Sequence, residues 1–284
     1  VDTPCVNKWL RSRDRLQGPD AESWSGRRGR DLIQLAMTVR GLGSFALITL
    51  GVLLRKPGQA RPVMRPLIRR EMDRAGIRLL PLFLFLAGAL GLVVVGQAVS
   101  WLSRFAAIDY LGSIMVVAVV REIGPVLTAV VVLARVGTAN VVELGTARAM
   151  GELEALESMG VDPVHYLVVP RVMGMAMGVF ALTIYLILGS LASGYLWAFI
   201  QDVPLQPGEY ARQLAAALGW MDFALLGLKT AGFGFIIAIV TCYHGLARPL
   251  RLEDVPEATV RAVAQGLVCC VLLDALFILA YLLV

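Results

Sequence analysis

Five apolar runs, each long enough to cross a bilayer, constrain this chain more than any other feature. A spanning helix needs about 20 mainly apolar residues, and Leu79–Val99, Leu111–Val136, Val164–Phe199, Met221–Leu246 and Ala262–Val284 each supply them. In hydrocarbon a backbone must satisfy its own N–H and C=O groups, so such runs fold as helices. The expected class is all-α, a polytopic membrane protein with about five transmembrane helices. Composition agrees: of 284 residues, 58% are hydrophobic and 17% charged, against roughly half and a quarter in soluble domains. An ordinary soluble enzyme, a secreted disulfide scaffold and a disordered regulator are excluded. Cys5, Cys242, Cys269 and Cys270 show no metal-ligand or redox spacing.

Charge sets the expected orientation. Sixteen basic and seven acidic residues precede Leu79, and a basic stretch before the first span predicts a cytoplasmic N-terminus. Five spans then put the C-terminus outside, the loops 101–110 and 200–220 outward, and 137–163 and 247–261 in the cytoplasm. Residues 1–30, with Arg11, Arg13, Arg15, Arg27, Arg28 and Arg30, form a basic arm, read either as touching anionic headgroups or as a solvated tail. Nucleic acid is not its expected partner beside so much membrane. Residues 31–78 form an interfacial segment and elbow. Gly41–Leu54 is only 14 residues, which suits an interfacial or re-entrant helix, and 55–78 is punctuated by Pro57, Pro62 and Pro66. Residues 79–284 are the transmembrane domain. Val164–Phe199 is too long for one straight span, so its start is expected along the inner surface.

Charged side chains inside the spans are costly, and normally face a protein interior or a wet cavity. Arg121 and Glu122 lie ten residues into the second span, about 15 Å deep. Gly124 and Pro125 follow, and proline removes a backbone donor and favours a kink. The pair is read as lining a cavity, with a structural ion pair as the other possibility. Lys229 and Asp274, in the fourth and fifth spans, lie at matching depth and are expected to form a structural salt bridge; a proton relay is the competing role. Between the second and third spans, residues 140–160 carry good helix formers. An apolar stripe of Val142, Ala149, Leu153 and Leu156 is flanked by Glu143, Glu152, Glu154 and Glu157. An acidic helix gains nothing from anionic lipid, so it is expected to dock on a cytoplasmic protein.

No G-x-x-x-x-G-K-[ST] phosphate loop is present, and His165 and His244 are the only histidines. Neither nucleotide hydrolysis nor a metal site is expected on this chain.

The run Val119–Arg171 resembles the signature region of the MlaE/YrbE permeases. The pieces that carry the resemblance are Arg121-Glu122-Ile123-Gly124-Pro125, Ala134-Arg135-Val136-Gly137, Glu143-Leu144-Gly145 and Glu157-Ser158-Met159-Gly160-Val161-Asp162-Pro163. Fainter similarity runs from about Leu67 to the C-terminus and includes Gln97, Lys229 and Asp274. Ala134 and Val136 depart from the Gly and Ala frequent around that arginine. The resemblance implies the permease subunit of an ABC transporter in a bacterial inner membrane, moving phospholipid to or from a conduit of MCE-domain proteins. It implies a second copy of the chain, a cytoplasmic ABC ATPase pair carrying ATP and Mg, and a hexameric periplasmic MCE ring. A lipid cavity between the copies would be lined by Arg121, Glu122, Gln97, Leu90, Leu92, Val93 and Val94. The coupling helix maps to Glu143, Gly145, Met150, Glu154, Glu157 and Met159. Two other functions stay open: an ion-coupled secondary transporter using Glu122, Asp274 and Lys229, and a non-transporting membrane anchor.

Overall fold

A computed structural model of the chain describes residues 40–51, 61–105, 110–160, 162–200, 206–246 and 251–283. The basic arm, residues 1–30, lies outside them, as does Pro57. The chain divides into two compact units, 1–45 and 46–284. Of the first, only residues 40–45 are described, at the start of a helix over 40–51 that coincides with the expected interfacial segment.

The second unit is all-α among its described residues, with five helices long and apolar enough to span: Met64–Leu102, Leu111–Ala149, Val164–Ile200, Trp220–Leu246 and Leu252–Tyr281. The third is central, packing against the first, second and fourth, while the fifth leans on the fourth and second. One core cluster joins Leu90, Met115, Val116, Val119, Ile187 and Leu191. Buried threonines turn their hydroxyls back on their own helices, Thr128 to Gly124 O, Thr183 to Val179 O and Thr241 to Ile237 O, at 2.7–2.9 Å. This satisfies polar atoms that hydrocarbon cannot.

The elbow is helical over Arg61–Ala75, which contains Pro62 and Pro66, and breaks at Gly76 and the 3-10 turn Ile77–Leu79. Other expectations are corrected. The third span has no separate interfacial start: Val164–Ile200 is one helix. Its π-helical opening, Val164–Val168, precedes Pro170. Another π stretch, Val116–Ile123, precedes Pro125, so both prolines are accommodated by wide turns while their helices continue. The segment 140–160 is not one helix. The second span continues to Ala149, Gly151 takes φ 77°, and a separate short helix, Glu152–Ser158, follows. A side chain at Gly151 would strain that left-handed backbone. The outer segment 200–220 also carries a helix, Pro207–Ala217. Its Tyr210 stacks on Tyr195 at 5.4 Å, and burial pushes the phenol up to about 12.

Small residues let the helices close. A Cβ on Gly234 would fall 2.5 Å from Ala176 Cα, a backbone contact with no room to yield. Gly234→Val should therefore force the third and fourth helices apart, at a cost of about 1–3 kcal/mol or more. A lowered melting temperature in detergent measures it, and an unchanged one excludes so close a contact.

Candidate functional site

The charged side chains of the second, fourth and fifth spans meet in one cluster. Lys229 stands nine residues into the fourth helix and is fully buried. Its ammonium donates to Arg121 O at 2.7 Å and Glu122 Oε2 at 3.1 Å, and forms an ion pair with Asp274 Oδ1 at 2.6 Å. Three partners thus surround a group with three protons to donate. The backbone partner has a local cause. Pro125 has no N–H to give the carbonyl four residues back, and that carbonyl belongs to Arg121. The lysine fills the gap that the proline leaves.

Arg121 itself turns elsewhere. Its Nε lies 2.8 Å from Asp222 Oδ1, and its guanidinium sits 5.1 Å over the Tyr281 ring. Asp222 is fixed in turn by the Gly219 N–H at 2.9 Å. Two cations therefore face three carboxylates. Lys229 is sealed, whereas the Arg121 and Glu122 side chains remain 29% and 30% exposed, so these two can meet a ligand while Lys229 cannot.

The residues assigned to an apolar lipid wall separate. Leu92 and Val93 are exposed, and Gln97 with them, while Val94 is half-buried. Leu90 points into the core cluster, so it is not on an accessible wall; the π-helical stretch Gly91–Val95 that begins after it widens the turn and moves Val93 away from its face.

At the opposite end of the second helix lies a second cluster. Arg171, almost fully buried, binds Glu143 Oε1 at 2.8 Å and lies 3.5 Å from Glu71, and Arg74 also bonds Glu143. The helix 61–75 is thereby tied to the second and third helices. Beside it opens a groove of about 500 Å³, lined by Val142, Leu144, Met150, Leu153, Leu156 and Tyr166 with Glu143 and Arg171 at its edge. Of the residues assigned to coupling, Met150, Glu154, Glu157 and Met159 are exposed around the short helix. Gly145 is buried against the fourth helix near Gly245, which makes it a packing residue with no surface to offer a partner.

Sequence reasoning missed Asp222, Tyr281, Glu71, Arg74 and Arg171. Arg171 carried a signal, an arginine at the edge of an apolar run. Asp222 stands at the start of the fourth apolar run, where a carboxylate costs little, and its partner depends on helix rotation.

Comparison with known proteins places these features in a family. The family model described as Permease MlaE matches residues 68–280. A probable ABC transporter permease protein of Synechocystis is 34% identical over 202 residues, covering 69% of this chain and 74% of that protein. A probable ABC transporter permease protein of Rickettsia prowazekii is 28% identical over 238 residues, 84% of this chain and 90% of its own. The intermembrane phospholipid transport system permease protein MlaE of Haemophilus influenzae is 27% identical over 228 residues, 80% and 86% of the two chains.

Proposed function

The chain belongs to the MlaE permease family, and on that premise we propose that it is the membrane subunit of an ABC transporter of phospholipid. Two copies pack at the membrane midline with a lipid cavity between them. A cytoplasmic ATPase pair binds below, an MCE-domain ring binds on the periplasmic side, and the N-terminus is cytoplasmic. The name of the Haemophilus influenzae relative supports phospholipid as the cargo. The fifth helix supports pairing: 17% of its apolar window is buried, against 50% for the second, third and fourth, leaving a broad apolar face for lipid or a second copy.

The observation that carries the reading is the partly exposed Arg121–Glu122 pair in otherwise apolar spans. Acyl chains need only an apolar wall such as Leu92 and Val93. A headgroup phosphate needs a cation, and at this depth Arg121 is the accessible one. Phosphate would replace Asp222 at Arg121, a charge-assisted exchange of one oxyanion for another. Glu122, held by Lys229, would repel the phosphate and favour its release. ATP binding by the partner would act on the short helix Glu152–Ser158 and its groove, and the second helix, continuous from there to Arg121, would carry the displacement.

Native mass spectrometry of the complex taken gently from its membrane tests the assembly. Two copies with two ATPases, MCE subunits and retained phospholipid are expected; this chain alone, even after crosslinking, would overturn the reading. In the assembled complex, Arg121→Ala and Glu122→Ala should each slow lipid transfer about tenfold or more while the ATPases stay bound. Transfer at normal rates would remove both residues from the lipid path.

A further inference from the structure

The helix Arg61–Ala75 uses its two faces for different chemistry. At 100° per residue, Leu67, Ile68, Glu71, Met72, Arg74 and Ala75 share one side, while Arg65, Arg69, Arg70 and Asp73 share the other. The first side is committed to the fold. Ala75 is fully buried, and Glu71 and Ala75 close against Gly174 and Gly178. The two charges on this side, Glu71 and Arg74, are tied into the Arg171–Glu143 cluster. The helix therefore cannot roll to hide its other face.

That other face is exposed along its length. Arg65, Arg69 and Arg70 form no salt bridge at contact distance with another described residue, although Arg70 lies within electrostatic reach of Glu143, and Asp73 is the one carboxylate among them. Arg78, also exposed, follows directly after the bend at Gly76. Such arginines on a soluble helix would simply be solvated. Here the helix runs into the first span, where Ile77, Leu84 and Phe85 are 62%, 73% and 75% exposed. Arg78 is six residues from Leu84, about 9 Å along a helix. Side chains bound for hydrocarbon thus set Arg78 near the level where headgroups begin, with the helix carrying Arg65, Arg69 and Arg70 joined to it through the break at Gly76.

We propose that Arg65, Arg69, Arg70 and Arg78 form a binding surface for anionic headgroups of the bilayer leaflet at which the first span begins. These are resident lipids, distinct from the cargo. Charge complementarity selects them, since a cytoplasmic leaflet is anionic and a basic residue near such a surface gains about fivefold in affinity. The binding surface rests on the cytoplasmic orientation proposed above but not on transport, so lipid enrichment without lipid transfer would separate the two.

The test uses the full chain in nanodiscs of phosphatidylcholine with about one fifth phosphatidylglycerol, released for native mass spectrometry. The wild type should retain phosphatidylglycerol well above its bulk fraction. Enrichment, at most about fivefold over a one-fifth bulk fraction, should fall to about onefold in R65Q/R69Q/R70Q, persist in R65K/R69K/R70K, and vanish in about 1 M salt, where the screening length is about 3 Å. An equal melting temperature for the glutamine variant shows that the helix stays docked. Enrichment that survives the glutamine variant overturns the proposal. So does displacement of the lipid by millimolar inorganic phosphate, which would mark a discrete phosphate pocket. Loss of the ATPase from the assembled complex with lipid enrichment unchanged would also overturn it, and would give the face to a protein partner.

Discussion

Replacing Lys229 by methionine is expected to destabilise the folded chain by about 3–5 kcal/mol, the usual cost of removing one member of a buried ion cluster. The ammonium is fully buried and neutralises Glu122 and Asp274 while capping Arg121 O. Methionine fills its volume but leaves Asp274 and the Arg121 carbonyl without this donor in low dielectric, and Glu122 with only its exposed edge. The sharper expectation concerns the combined variant. K229M/E122Q/D274N removes the charges along with their partner and should regain most of the loss, because a buried cluster often adds little net stability over a neutral replacement. Thermal unfolding in detergent, with the fraction of monodisperse protein as a second readout, compares the two. If the triple variant unfolds no higher than Lys229→Met, the three groups are not energetically coupled.

The second large effect is expected at Arg171. Its guanidinium is almost fully buried between Glu71 and Glu143, so Arg171→Met should cost about 3 kcal/mol or more. The loss should be local in one respect. Helix 61–75 keeps its small-residue contact with the third span and its Arg74–Glu143 pair but loses its charged tie to the third span, so trypsin should cut after Arg69 or Arg70 faster than in the wild type. Glu143→Gln should act in the same direction more weakly, because that carboxylate is 45% exposed and water can replace its partners. Tryptic cleavage unchanged in Arg171→Met would mean that packing and the Arg74–Glu143 pair hold the helix without Arg171.

The two clusters show where sequence reasoning reaches and where it stops. Arg121, Glu122, Lys229 and Asp274 stood out because each interrupts an apolar run, and matched depth set Lys229 beside Asp274, where the structure finds them 2.6 Å apart. Depth could not reveal that Lys229 also holds Glu122, or that Arg121 turns to Asp222 and Tyr281. Those contacts depend on how each helix is rotated about its axis. Leu90 and Val93 make the same point. Both are apolar and three residues apart, yet one is core and the other surface. In hydrocarbon, polarity does not distinguish a lipid-facing side chain from a buried one, so the pattern that orients a soluble helix is missing. Segment 140–160 failed for another reason: its composition favours helix throughout, and only Gly151 marked the break.

The sequence by itself determined that this chain spans a membrane as five helices, that charges lie within those spans, and that a long motif ties it to one permease family. Hydrophobicity and motif spacing are local properties, written window by window along the chain. The tertiary structure alone decided which charges share a proton donor, which glycine breaks a helix and which is a packing contact, and which face of helix 61–75 is left open. Each of these is a relation between helices, fixed by rotation, depth and close approach when the bundle packs.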